Sequence, residues 1–206
     1  MAYSDYTLNK IKDEFQIAIN GETDIFPDVG EENISDSLNE TLKENIPLAI
    51  AIHTEKARSE MIVTPILIEL RKVLNHRISL FSGVEFNVDK EKGLNGVCDY
   101  IISLSREQLY VSSPVILLVE AKNDNIKSGL AQCAAEMMAS RIFNEQRGSR
   151  ISAIYGIVTT GSIWRFLKLD DVLHIDIREY YIKQLGKIMG IMLQIINSEM
   201  SKSESQ

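Results

Sequence analysis

Three charged residues are set into two runs that otherwise read as core strand. Gly96-Val-Cys-Asp99-Tyr-Ile-Ile-Ser103 carries Asp99, and Val115-Ile-Leu-Leu-Val-Glu-Ala-Lys122 carries Glu120 and Lys122. A strand buried on both faces should be apolar throughout. A buried charge without a partner is expensive, so each of these groups needs another of them, a metal ion, or water beside it. Side chains alternate across a strand, which puts Glu120 and Lys122 on one face and Ala121 on the other. Two carboxylates and an ammonium converging from adjacent strands make a cation site with a charge-stabilising lysine. That set suits phosphodiester hydrolysis: Mg²⁺ binds through one or two carboxylates while keeping waters, and it polarises a phosphate and generates hydroxide near neutral pH. The structural alternative is a buried carboxylate–lysine pair without catalytic meaning.

The elements that would position these residues follow from periodicity. Residues 4–19 fit an amphipathic helix through Leu8, Ile11, Phe15 and Ile19, and residues 21–36 read as loop. A long helical stretch from Ser37 to about Leu74 must bend or restart at Pro65, which has no amide hydrogen. Ile78–Val88 reads as a first strand, followed by a turn at Lys90–Gly96, the Asp99 strand, a polar loop and the strand carrying Glu120. Asn123-Asp124-Asn125 offers N-caps for a helix to about Asn144 with a core stripe of Ile126, Leu130, Cys133, Met137, Met138 and Ile142. Strand, helix and strand again (Ile151–Thr159) is the βαβ signature of a parallel pair. Thr160-Gly161 turns into an antiparallel partner at Ile163–Leu169, Asp170-Asp171 turns again, and a last helix spans about Glu179–Ser198.

Asp99 followed some twenty residues later by Glu120-Ala121-Lys122 resembles the PD-(D/E)XK nuclease superfamily. The family order of helix, strand, strand with Asp, strand with Glu-x-Lys, helix, strand is similar to residues 47–160. The departure is that Cys98, not proline, precedes Asp99. The resemblance implies a restriction endonuclease-like α/β sandwich, a central mixed sheet flanked by helices, and a divalent-metal-dependent DNA endonuclease. It implies Asp99, Glu120 and the Ala121 carbonyl as ligands to Mg²⁺ or Mn²⁺, with Lys122 as the catalytic cation. It also points to Glu60 on the helix before the first strand, although Lys56 four residues back offers an exposed salt bridge instead. Glu55 falls on a different face of that helix. Gln132 lies in the helix leaving the carboxyl end of the Glu-x-Lys strand, where open α/β sheets place ligands. Its bland alternative is pairing with Glu136. A catalytically silent binding or regulatory subunit of a DNA-processing or defence assembly is the competing function.

Composition sets the outer bounds. A chain of 206 residues with 45% hydrophobic and 25% charged residues is ordinary for a globular protein. No apolar run is long enough to cross a bilayer, and the first residues lack a signal-peptide pattern, so a cytoplasmic protein without a membrane partner is expected. Cys98 and Cys133 read as buried thiols. The net charge of −7 is uneven: residues 1–45 hold 11 acidic against 3 basic residues, while residues 46–206 hold 18 against 19. Three segments are expected: an acidic helical extension over 1–45, the nuclease-like domain over 46–200, and a disordered tail over 201–206. The near-neutral body is compatible with DNA, and a homodimer or larger assembly is equally open. His53, His76 and His174 show no ligand spacing, and Trp164 and Phe166 read as strand packing rather than a base-stacking platform.

Overall fold

The structure, a computed structural model, describes residues 2–204. A 3₁₀ turn at Tyr3–Asp5 precedes α1 (Leu8–Phe15), β1 (Ala18–Asn20), α2 (Asp36–Ile52) and α3 (Glu55–Arg58). A π-helical turn at Ser59–Val63 runs into α4 (Thr64–Val73), followed by β2 (Ser79–Glu85), β3 (Val97–Ser103), β4 (Val115–Ala121) and α5 (Ile126–Gln146). The chain continues through β5 (Ile154–Thr159), β6 (Ile163–Leu169), β7 (Val172–Ile175), β8 (Tyr180–Tyr181), a 3₁₀ turn at Ile182–Gln184 and α6 (Leu185–Glu204).

The strands form one mixed sheet of eight, ordered β1-β7-β6-β5-β4-β3-β2 with β8 paired to β6. The pair β4–β5 is parallel, as the helix between them requires, and β3–β4 is antiparallel. One face packs on α2, α4 and α6 through residues such as Leu42, Ile66, Leu70, Ile188 and Met192. The other packs on α1 and α5 through Ile11, Leu130, Cys133 and Met137. β4, covered on both faces, is buried from end to end.

Four sequence expectations change. The long helical stretch restarts at Pro65 as expected but also breaks earlier, at His53 and Thr54: His53 takes a left-handed conformation (φ +56°) and the Thr54 side chain caps the new helix by accepting from the Ala57 amide. Pro65 is tolerated because it falls in the first turn of α4, just after the widened turn in which the Thr64 amide reaches the Ser59 carbonyl. The first helix stops at Phe15 and the chain then forms β1, which pairs in parallel with β7. The acidic segment therefore contributes the outermost strand of the same sheet. At the other end, the helix expected over Glu179–Ser198 begins only at Leu185, after β8, and Ser201–Glu204, expected to be disordered, extend it. Ser205 and Gln206 lie outside the described residues. Trp164 and Phe166 are fully buried, as strand packing demands, and so are Met189, Met192 and Ile195 of α6.

Among the described residues, no helix is long and apolar enough to cross a membrane.

Candidate active site at the carboxyl end of β4

The site is assembled where β4 ends. Tyr100 is in register with Val119 and Ile101 with Leu118, so the same register, continued, sets Asp99 opposite Glu120. The Asp99 carboxylate accepts a hydrogen bond from the Ala121 amide at 2.8 Å, which ties the ends of the two strands together. Glu120 is only 1% exposed. One of its oxygens is ion-paired with the Lys122 ammonium, and the other has no hydrogen-bond partner among the described residues.

Lys122 is placed by α5. A Cβ at Gly129 would lie 3.2 Å from Lys122 Cγ and 2.6 Å from a Val158 methyl, so the absence of a side chain there makes room for the lysine stem. Lys122 Nζ donates to Gln132 Oε1 at 3.3 Å, and Gln132 Nε2 donates to Glu136 Oε1 at 3.3 Å. Glu136 is completely buried, and its second oxygen also lacks a partner. From sequence, Glu136 is only a pairing partner for Gln132, four residues before it. Its complete burial within an apolar stripe becomes visible only when α5 is laid on the sheet.

Burial is the main cause of the shifted acidities. It pushes the Glu120 carboxyl up, reinforced by Asp99 and only partly offset by Lys122, to about 7. Glu136 is raised well above the usual carboxylate range by the same desolvation, then by Glu120. Burial also raises Asp99, against the opposing pull of the Ala121 amide and Lys122. For Lys122, burial is the largest single influence and acts downward, but the charge and hydrogen bond of Glu120 together with Glu55 and Asp99 outweigh it, and the ammonium is held more tightly than usual.

A cleft of about 300 Å³ opens at this end of the sheet, lined by Asp99 and Ala121 together with Glu55, Lys56, Ser59, Glu60 and Tyr100. Glu120 and Lys122 are not among its lining residues; their contacts turn toward α5. Glu60 sits on the rim, 3.7 Å from Lys56, with both side chains largely exposed. Glu55, expected on another face, shares the cleft with Glu60. In a regular α-helix, residues five apart point about 140° from each other; the π turn beginning at Ser59 has more residues per turn and narrows that angle. The same turn is pinned by the Tyr100 hydroxyl, which lies 2.6 Å from Ser59 Oγ and 2.8 Å from Thr64 Oγ1. Neither Ser59 nor Tyr100 carried a signal in the sequence.

A cleft of about 320 Å³ lies at the opposite end of the sheet, by Arg141 and Asp170, and contains none of the residues selected above. Arg141 there is already engaged by the Asp170 carbonyl.

Compared with protein-family models, with curated proteins and with solved structures, the chain matches none.

Proposed function

We propose that the chain is a divalent-metal-dependent endonuclease of the restriction endonuclease-like PD-(D/E)XK type that hydrolyses phosphodiester bonds in DNA. The observation that carries the reading is Glu120: a carboxylate almost fully buried, with one oxygen unpartnered, opposite Asp99 at the open end of a sheet. Charge burial of this kind persists where a ligand offsets it. The order of α3–α4, β2, β3, β4, α5 and β5 supports the fold assignment.

The donor set fits Mg²⁺ or Mn²⁺. Among the described residues, no three His, Cys, Asp or Glu side chains group into a metal-holding cluster, but Mg²⁺ asks for only one or two carboxylates with waters completing its shell. Asp99, Glu120 and the Ala121 carbonyl would hold the cation, which supplies Lewis-acid polarisation of the phosphate and a hydroxide nucleophile near neutral pH. Lys122, fixed by Glu120 and Gln132, would place positive charge where negative charge accumulates on the phosphorane. Gln132 and Glu136 keep that ammonium in position, and Glu60 supports the site from the cleft wall. A second reading, a binding module that does not cleave, draws support from the direct Lys122–Glu120 ion pair, which occupies the groups that hydrolysis would use.

Calorimetric titration with Mn²⁺ and a supercoiled-plasmid nicking assay separate the two. The wild type is expected to bind Mn²⁺ and nick, and Glu120→Gln to do neither. DNA binding by a wild type that takes up no Mn²⁺ would establish the silent module instead.

A further inference from the structure

Beside the candidate active site, three donors from separate parts of the fold converge on one carboxylate. Asp124, in the loop between β4 and α5, accepts a hydrogen bond from Asn123 Nδ2 at 3.0 Å. The same oxygen lies 3.4 Å from His53 Nε2, at the end of α2. The other oxygen lies 3.9 Å from a guanidinium nitrogen of Arg58, on α3. Arg58 is fixed, whereas the His53 and Asp124 side chains are comparably exposed. Arg58 is 7% exposed and anchored by its bonds to the Thr160 carbonyl at 3.1 Å and Ser162 Oγ at 3.3 Å. His53 is held in the left-handed region at φ +56°, a conformation that surrounding structure must enforce. The Asp124 side chain is 59% exposed on an irregular loop.

The pairing itself is poor. A buried guanidinium calls for a close, preferably two-pronged anion, yet Arg58 meets its carboxylate at 3.9 Å. Its Nε is buried with no acceptor among the described residues. Guanidinium, imidazole and amide donors arranged around one point suit an oxyanion with more acceptor oxygens than a carboxylate, and arginine is the side chain best matched to phosphate. Arg58 immediately precedes Ser59 and Glu60 of the cleft, and Asp124 stands two residues after Lys122.

We propose that His53, Arg58 and Asn123 form a phosphate-binding site for a nucleic-acid strand, which Asp124 occupies as a built-in competitor in the free protein. The strand as the source of the phosphate rests on the nuclease reading; the oxyanion site does not. Binding displaces the Asp124 carboxylate into solvent and puts a backbone phosphate on Arg58, next to the carboxylates of the cleft. The loop bearing Asp124 thereby screens the site against weakly held anions.

The test needs no cleavage. Fluorescence anisotropy with a labelled twelve-nucleotide oligothymidylate, in EDTA, is run beside calorimetric titration with inorganic phosphate. Asp124→Asn removes the competitor and is expected to tighten both by about two- to five-fold, the range set by loss of one exposed ion pair. Asp171→Asn, which removes an exposed charge at the far end of the sheet, is expected to change neither. Arg58→Lys, which keeps the charge but not the fork, is expected to weaken both, with far-ultraviolet dichroism confirming the fold. Equal tightening by Asp171→Asn, or none by Asp124→Asn, overturns the site. Tightening for inorganic phosphate alone overturns the strand assignment. Tightened oligonucleotide binding in a protein that never nicks DNA supports this site while refuting the hydrolytic reading.

Discussion

Replacing Glu120 by glutamine isolates the electrostatic burden at the centre of the proposed site. In the folded protein the Glu120 carboxyl is lifted from its ordinary 4.5 to about 7, chiefly by burial and then by Asp99. Raising a carboxyl by that much corresponds to about 3 kcal/mol between the two protonation states. The sign follows from proton binding. Between pH 4.5 and 7 the folded state keeps a proton that the unfolded state has released, so stability falls as pH rises through this window and levels off above it. Glutamine cannot ionise and keeps nearly the same shape, so Glu120→Gln removes this component. The rise to about 7 already contains the opposing pull of Lys122, so loss of the ion pair does not reduce the gain further. In EDTA the variant is therefore expected to match the wild type near pH 5, where the folded protein holds Glu120 protonated. At pH 8 it should exceed the wild type by about 3 kcal/mol, which for a chain of this size is about 6–12 °C in melting temperature. Thermal melts followed by circular dichroism from pH 5 to 8 measure it. Saturating Mn²⁺ should raise the wild-type melting temperature at pH 8 and leave the variant unmoved. A variant less stable than the wild type at pH 8, with an unchanged pH profile, would show that Glu120 is an ionised structural partner of Lys122 and would remove the basis for the metal site.

Lys122→Ala leaves Glu120 and Asp99 without their counter-charge: nicking should become undetectable while Mn²⁺ binding persists, and stability in EDTA should fall most at high pH, with parental nicking sufficient to dismiss the catalytic role. Gly129→Ala introduces a Cβ 2.6 Å from Val158 and 3.2 Å from Lys122, so a loss of about 1–3 kcal/mol and a drop in nicking beyond that from lower stability are expected; unaltered melting would mean that α5 shifts freely. Tyr100→Phe takes away the hydroxyl that pins the π turn to β3, with an expected cost of about 1–2 kcal/mol in denaturant unfolding. Nicking should fall more steeply than in a surface Tyr110→Phe control, and equal behaviour of the two would refute a role for the turn.

Much of this protein was legible in the sequence because its signals are local. Alternating and continuous apolar runs locate β3 to β6, and the helix between β4 and β5 requires their parallel pairing. The charges interrupting β3 and β4 marked Asp99, Glu120 and Lys122 because a buried strand has no other use for them. Gln132 followed from its distance along the helix leaving β4. What the sequence could not determine depends on contacts between distant segments. Ala18–Asn20 are a strand only because β7, more than 150 residues away, offers them a free edge. The shared cleft of Glu55 and Glu60 depends on a π turn held by Tyr100 from another element, and no periodicity in Glu55–Val73 announces it. Glu136 reads as an ordinary helix-surface acid until packing buries it against Glu120 and Gln132. His53, Arg58, Asn123 and Asp124 come together only because three elements end at one corner of the sheet. Side-chain type and spacing determine which groups a strand or helix presents, and only tertiary packing decides which of them lose water and meet.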